Sequence, residues 1–276
     1  MTNILIIARK EIQEGLRNRW VLATTLLLAA LALTLSFLGS APTGNVGVNR
    51  LDVVIVSLSS LTIFLVPLIA LLLSHDAIVG ESERGTMVLL LSYPIGRSEV
   101  IFGKFLGHLA ILAFATAIGY GVAAAGALTI TGSEIAADSW RAFLSMVASS
   151  VLLGAVFLAI GYLTSTLVGE RSTAGGIAIG IWLFFVLIYD MALLGGLVAA
   201  KGQAVPALAL DLLLLANPTD VYRLLNLGSG NAGALSGMGG IAAHSGLTAP
   251  VLVAALALWT IVPLGWATVI FSRREV

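Results

Sequence analysis

The chain contains no cysteine, only three histidines, and charged side chains at just 10% of its 276 positions. Without thiols there is no disulfide, thiolate metal centre or cysteine nucleophile, and the redox compartment leaves no mark. His75, His108 and His244 stand far apart, and neither a paired-histidine spacing nor HExxH occurs, so no metal site is expected. Basic and acidic residues balance at a formal net charge of zero, which leaves no electrostatic footprint for nucleic acid. A phosphate-cradling loop is also missing. The nearest approach to GxxxxGK[ST] keeps Gly103-Lys104, but Ser98 stands for the first glycine and Phe105 for the hydroxyl. Any use of ATP therefore needs a separate subunit, and no cofactor is expected in this chain.

What is present is apolar. A hydrophobic fraction of 59% lies well above the roughly 45–50% of soluble domains and marks a polytopic membrane protein. Six runs come near or above the roughly 20 residues that cross a bilayer core: 20–38, 53–74, 105–130, 143–168, 174–198 and 249–271. Pro67 and Pro263 should kink the second and sixth. Ahead of them, residues 1–19 place Ile4, Leu5, Ala8, Ile12 and Leu16 near helical spacing among Arg9, Lys10, Arg17 and Arg19. This reads as an amphipathic helix on the membrane surface, or else as a frayed basic flank of the first span. Charge follows a very short apolar run there, so no cleaved signal peptide is expected. With six spans, ten of the fourteen lysines and arginines fall on the side of the termini, which predicts that both termini are cytoplasmic.

The most informative stretch is 76–104, between the second and third spans. Glu81, Glu83 and Arg84 are too costly for hydrocarbon, and the apolar run 87–91 is too short to cross. Gly85-Thr86 supplies a flexible position and a helix N-cap, Tyr93-Pro94 stops the helix, and Gly96-Arg97-Ser98 turns the chain back. A cytoplasmic helix-turn-helix with one greasy face, including Leu89 and Leu90, is expected. Residues 199–248 form a second break. Apolar residues 206–216 carry Asp211 and are too short to span, and Asn217-Pro218-Thr219-Asp220 can cap a short helix holding Val221, Tyr222, Leu224 and Leu225. A Gly/Ala/Ser-rich tract, 228–246, follows, and the region reads as an outward-facing cap with one or two interfacial helices. Gly103/Gly107 and Gly176/Gly180 suit close helix packing. Inside the spans only His108 and Asp190 are ionisable. His108 serves as a hydrogen-bonding group in the bundle or as a ligand; Asp190 serves as an outer-gate or structural pairing or as a substrate contact. Tyr189-Asp190 lacks the GxGD partner that an intramembrane aspartyl protease needs.

The order of features in 76–104 (a Glu-rich turn, Gly-Thr, a leucine run, Pro, Arg/Ser, then Gly-Lys entering a helix) resembles the ABC-2 class of ATP-binding-cassette permeases. The resemblance implies an all-α membrane protein: an N-terminal interface helix, six transmembrane helices, a cytoplasmic coupling helix in 76–104 and a periplasmic cap at 199–248. It implies a homodimer in which Glu81, Glu83, Arg84, Gly85, Thr86, Leu89, Leu90, Tyr93 and Pro94 dock a cytoplasmic ATPase that holds ATP and Mg. Over its whole length the chain is also similar to the permeases that mature nitrous oxide reductase. That likeness implies copper–sulfur centre assembly in a bacterial inner membrane, two copies of a NosF-like ATPase, and a NosD-like periplasmic β-helix protein. The β-helix protein would meet the cap, with Asp211, Asn217, Asp220, Tyr222 and Arg223 as candidate contacts, and the cargo is a sulfur species or mechanical work on that protein. Two other readings remain: an ABC-2 exporter of a different substrate, and an ion-driven secondary transporter, for which Asp190 is the one candidate carboxylate.

Overall fold

A computed structural model describes residues 2–17, 30, 31, 33, 34, 50–131, 137–199, 206–228 and 245–274, and among these no strand occurs. The helices run α1 (Thr2–Arg17), α2 (Arg50–Ser74), α3 (Val79–Glu83), α4 (Thr86–Leu91), α5 (Arg97–Thr131) and α6 (Ala137–Leu167). After α6 come α7 (Arg171–Leu183), a π-helical turn (Phe184–Ile188), α8 (Tyr189–Ala199), α9 (Ala207–Leu215), α10 (Pro218–Leu227) and α11 (Ala249–Arg273). Among the described residues, five stretches are long and apolar enough to cross a membrane: Val53–Glu83, Arg97–Gly126, Asp138–Leu167, Arg171–Gly196 and Ala249–Arg273. They coincide with the second to sixth expected spans. The expected first span, 20–38, lies outside the described residues except for 30, 31, 33 and 34. The chain is thus an all-helical, multi-pass membrane protein.

Helix α6 is the axis of the bundle. Two-thirds of its spanning window, 67%, is buried, against 11% for the α7–α8 stretch and 22% for α11. Leu153, Val156, Phe157, Leu158, Ala159 and Tyr162 fill the interior. Several hydroxyls in these apolar helices return to their own backbone, as Thr62 to Leu58 O, Ser150 to Met146 O and Thr164 to Ile160 O, so these three need no partner from lipid. Pro67 and Pro263 sit inside α2 and α11 without ending either helix.

Two parts of the chain depart from a simple row of spans. Helix α1 lies along α5, which is glycine-lined where the two meet. A Cβ on Gly103 would fall 2.7 Å from Ile7 Cβ, and one on Gly107 would fall 2.5 Å from Glu11 Cβ. At the other end, α10 was expected at an interface but is packed into the bundle, with Val221, Tyr222, Leu224 and Leu227 buried. The physical reason is the π turn. The Phe185 carbonyl accepts from Asn217 Nδ2 at 3.0 Å and from Thr219 Oγ1 at 3.2 Å, which draws the start of α10 inward.

The glycine contacts set a test. Gly107→Val should force α1 off α5 at a cost of about 1–3 kcal/mol, as overpacking does. The expected outcome is a lower unfolding temperature in detergent together with protease cleavage of α1 that the wild type resists.

Candidate functional site

Residues 76–104 fold into two short helices whose backbone ends are satisfied from elsewhere. The amides of Ile78 and Val79 both donate to Ser165 Oγ of α6, at 3.0 and 3.1 Å, so the start of α3 is capped by another span. Gly85 adopts φ 70°, a left-handed conformation that a side chain would strain, and this turn launches α4. Thr86, expected as the N-cap, is instead the first helical residue, and its hydroxyl donates back to Glu81 O at 3.2 Å. Met87 is fully buried, whereas Val88, Leu89 and Tyr93 are 55%, 67% and 66% exposed. Pro94 is exposed beside them. Leu89, Leu90 and Tyr93, with Glu81, Arg84 and Thr86, line an open groove of about 370 Å³ to which α1 contributes Lys10 and Glu14.

A buried charge node backs this groove. Lys104 Nζ lies 2.7 Å from Glu11 Oε1 and 2.6 Å from Glu81 Oε1, and the lysine side chain is only 3% exposed. One turn further along α5, His108 Nε2 is 3.5 Å from Glu11 Oε2, and its Nδ1 shares a 2.8 Å hydrogen bond with the Tyr162 hydroxyl. Burial alone would raise the pKa of Glu11. The His108 hydrogen bond and the Lys104 charge overrule it and hold the carboxyl at about 2.

Glu81 therefore faces inward. It was expected to contact an ATPase; its carboxylate is instead paired with Lys104 at 2.6 Å, while the residue still lines the groove. Glu83 stays exposed and accepts the Arg171 amide at 2.7 Å, while Asp76 pairs with the Arg171 guanidinium at 3.0 Å; the two cytoplasm-expected turns thus brace each other. Arg84 is exposed at the groove. Arg97 donates to the carbonyls of Phe271 at 3.0 Å, Ser272 at 3.2 Å and Arg274, capping the C-terminal end of α11.

The other candidates gather at the opposite end. Arg223 Nη2 is 2.5 Å from Asp190 Oδ2 and its Nη1 is 2.7 Å from Asp220 Oδ1; Asn217 Nδ2 donates to Asp220 Oδ2 at 3.0 Å. Asn217 and Tyr222 are 0% exposed and Asp220 is 2% exposed, which corrects the expectation that these three side chains face a partner. Their polar atoms are spent inside the bundle. Asp211 accepts the Gly246 amide at 3.3 Å. Among the described residues no group of three histidine, aspartate or glutamate side chains could hold a metal ion.

A sequence profile described as "ABC-2 family transporter protein" matches residues 5–276. The chain belongs to the ABC-2 transporter family. The permease is 48% identical over 276 residues, the full length of both chains, to a Pseudomonas aeruginosa protein named "Probable ABC transporter permease protein NosY". It is 50% identical over 277 residues, covering 99% of each chain, to a Stutzerimonas stutzeri protein of the same name. It is thus the permease subunit of an ABC transporter.

The node of the permease is not legible in sequence as a group, since Glu11 and Lys104 are 93 positions apart. One signal does point to it. Gly103 and Gly107 share a spacing suited to helix contact, and Lys104 and His108 follow each by one residue, so charge and close approach occupy the same stripe of α5.

Lys104→Met leaves the buried Glu11 and the part-buried Glu81 without their cation and should destabilise the permease by about 3–5 kcal/mol, read as a fall in unfolding temperature. The pH dependence follows from Glu11. Its folded pKa lies below the ordinary 4.5, so its stabilisation is complete above that value and is lost as pH falls toward about 2. Between about pH 5 and pH 3 the wild type should lose stability more steeply than Glu11→Gln.

Proposed function

We propose that this permease works as two copies, each docking one cytoplasmic ATPase in the groove between α1 and α4, and serves copper–sulfur centre assembly of nitrous oxide reductase. The observation that carries the docking part is the groove itself. It presents Leu89 and Tyr93, two large apolar side chains mostly exposed to water, on a segment too short and too charged to enter the bilayer. Lys10 and Arg84 beside them offer charge to an acidic partner residue. The partner would be NosF-like and would hold the ATP and Mg. When two ATPases close, they would push the grooves together, and the node would make α1, the α3–α4 segment and α5 move as one body.

The nitrous oxide reductase part is supported by the name NosY on two relatives aligned over their full length. In this reading the membrane is the bacterial inner membrane, the groove is cytoplasmic, and a NosD-like β-helix protein sits at the opposite end. With Asn217, Asp220 and Tyr222 spent inside, the described part of the cap offers it the exposed side of α9, with Leu208 and Leu212. The cargo is a sulfur species or the mechanical work itself. An ion-driven carrier fits less well, because Asp190, the one carboxylate it could use within a span, is paired with Arg223.

Leu89→Glu combined with Tyr93→Ala should cut co-purification of the ATPase at least about ten-fold while the unfolding temperature stays within about two degrees, as surface changes allow. Undiminished co-purification would sink the docking assignment. Orientation is checked separately, and the lack of native cysteine makes the check clean. A cysteine placed at Tyr93 should resist a membrane-impermeant maleimide on intact cells and react once they are permeabilised; labelling from outside would reverse the topology.

A further inference from the structure

Helix α10 is ten residues long, and its side chains bond to two different parts of the bundle. Its first turn grips the fifth-span rod, α7–π–α8. Asn217 and Thr219 take the Phe185 carbonyl of the π turn, and Arg223 reaches Asp190 at the start of α8. Its other grip is on the helices around α6. The Tyr222 hydroxyl is 2.9 Å from Ser150 Oγ, and Asn226 Oδ1 accepts Ser149 Oγ at 3.0 Å.

Helix α10 also packs against α2, where Thr62 Oγ1 is 2.5 Å from the Tyr120 hydroxyl of α5 and Ser59 lies one turn before Thr62. Helices α2 and α5 are the pair that bracket the α3–α4 segment. These hydroxyls are buried, and the Ser59 hydroxyl in their midst lacks a hydrogen-bond partner in this arrangement. A cluster with a spare hydroxyl can exchange one partner for another as α2 slides, without stranding a second polar group. On the rod side, the π turn is a break in helical register of the kind frequently found at functional sites.

We propose that α10 is a positioning element that passes displacement of α2 and α5 to the fifth-span rod, with Tyr222 and Arg223 as its two grips. The proposal rests on the ATP-driven reading above and assigns a path that the docking segment alone does not supply. The path runs from the groove up α2 and α5 to the hydroxyl cluster, through α10, to Asp190 and the π turn.

The test uses the permease with its ATPase in nanodiscs. Spin labels go on cysteines introduced at Leu144 of α6 and Val198 of α8, which are 62% and 78% exposed in a chain without competing thiols. In the wild type, the distance between labels should shift when ATP and vanadate replace the nucleotide-free state. Tyr222→Phe removes one oxygen and keeps the ring. It should leave ATP hydrolysis within about two-fold and lose roughly half or more of the distance shift. Asp190→Asn loosens the second grip and should behave alike, which keeps the proposal testable if the first variant folds poorly. A full shift in both variants would overturn it, and so would hydrolysis that falls in parallel with the shift, since that marks a purely structural role. A wild type that hydrolyses ATP without any shift would sink this inference and leave docking intact. A wild type that binds no ATPase would sink both.

Discussion

A lysine that is 3% exposed at the rim of a membrane bundle is tolerable only if opposite charge surrounds it, and Lys104 has that charge from two different segments. Removing an ammonium from water costs several kcal/mol even after relaxation, and short contacts to Glu11 and Glu81 offset it. Because those carboxylates lie on α1 and α3, the cost ties both elements to α5. Gly103 and Gly107 let α1 approach closely enough for the contact to form. The groove inherits its shape from this arrangement, since Lys10 and Glu14 come with α1 and Leu89 and Tyr93 with the α3–α4 segment.

A second constraint shapes the opposite end. In a bilayer every backbone polar group needs an internal partner, so each irregularity in a helix attracts side chains that can complete it. The Phe185 carbonyl of the π turn accepts from Asn217 and Thr219, and these bonds hold the start of α10 against the bundle. The same logic places Ser165 on the amides that open α3 and Arg97 on the carbonyls that close α11. Polar residues in this permease act less as solvent-facing decoration than as the pieces that join one helix end to another.

The apolar spans are legible from the chain because their signal is local: a run of about 20 residues at 1.5 Å each matches the hydrocarbon thickness. The α3–α4 segment is legible for a similar reason, since Glu83, Arg84 and a five-residue apolar run cannot enter lipid, and Gly85 marks its left-handed turn. The direction in which Glu81 points is not legible. Nothing near it in sequence says that a lysine 23 positions later will be buried against it. Asn217, Asp220 and Tyr222 mislead in the opposite sense. Their types suit an exposed cap, and contacts with distant residues bury them, as Asn217 with the Phe185 carbonyl 32 positions away and Tyr222 with Ser150 72 positions away.

Composition and run length by themselves determined that this chain is a helical membrane protein and where the five long apolar stretches among the described residues lie. Those properties depend on transfer from water to hydrocarbon, which each residue undergoes largely on its own account. Tertiary structure alone decided which charges are buried together, that α1 belongs to the groove, and that α10 joins two sets of spans. Ion pairs and hydrogen bonds have a range of a few ångströms, and only the packed bundle determines which distant residues come within it.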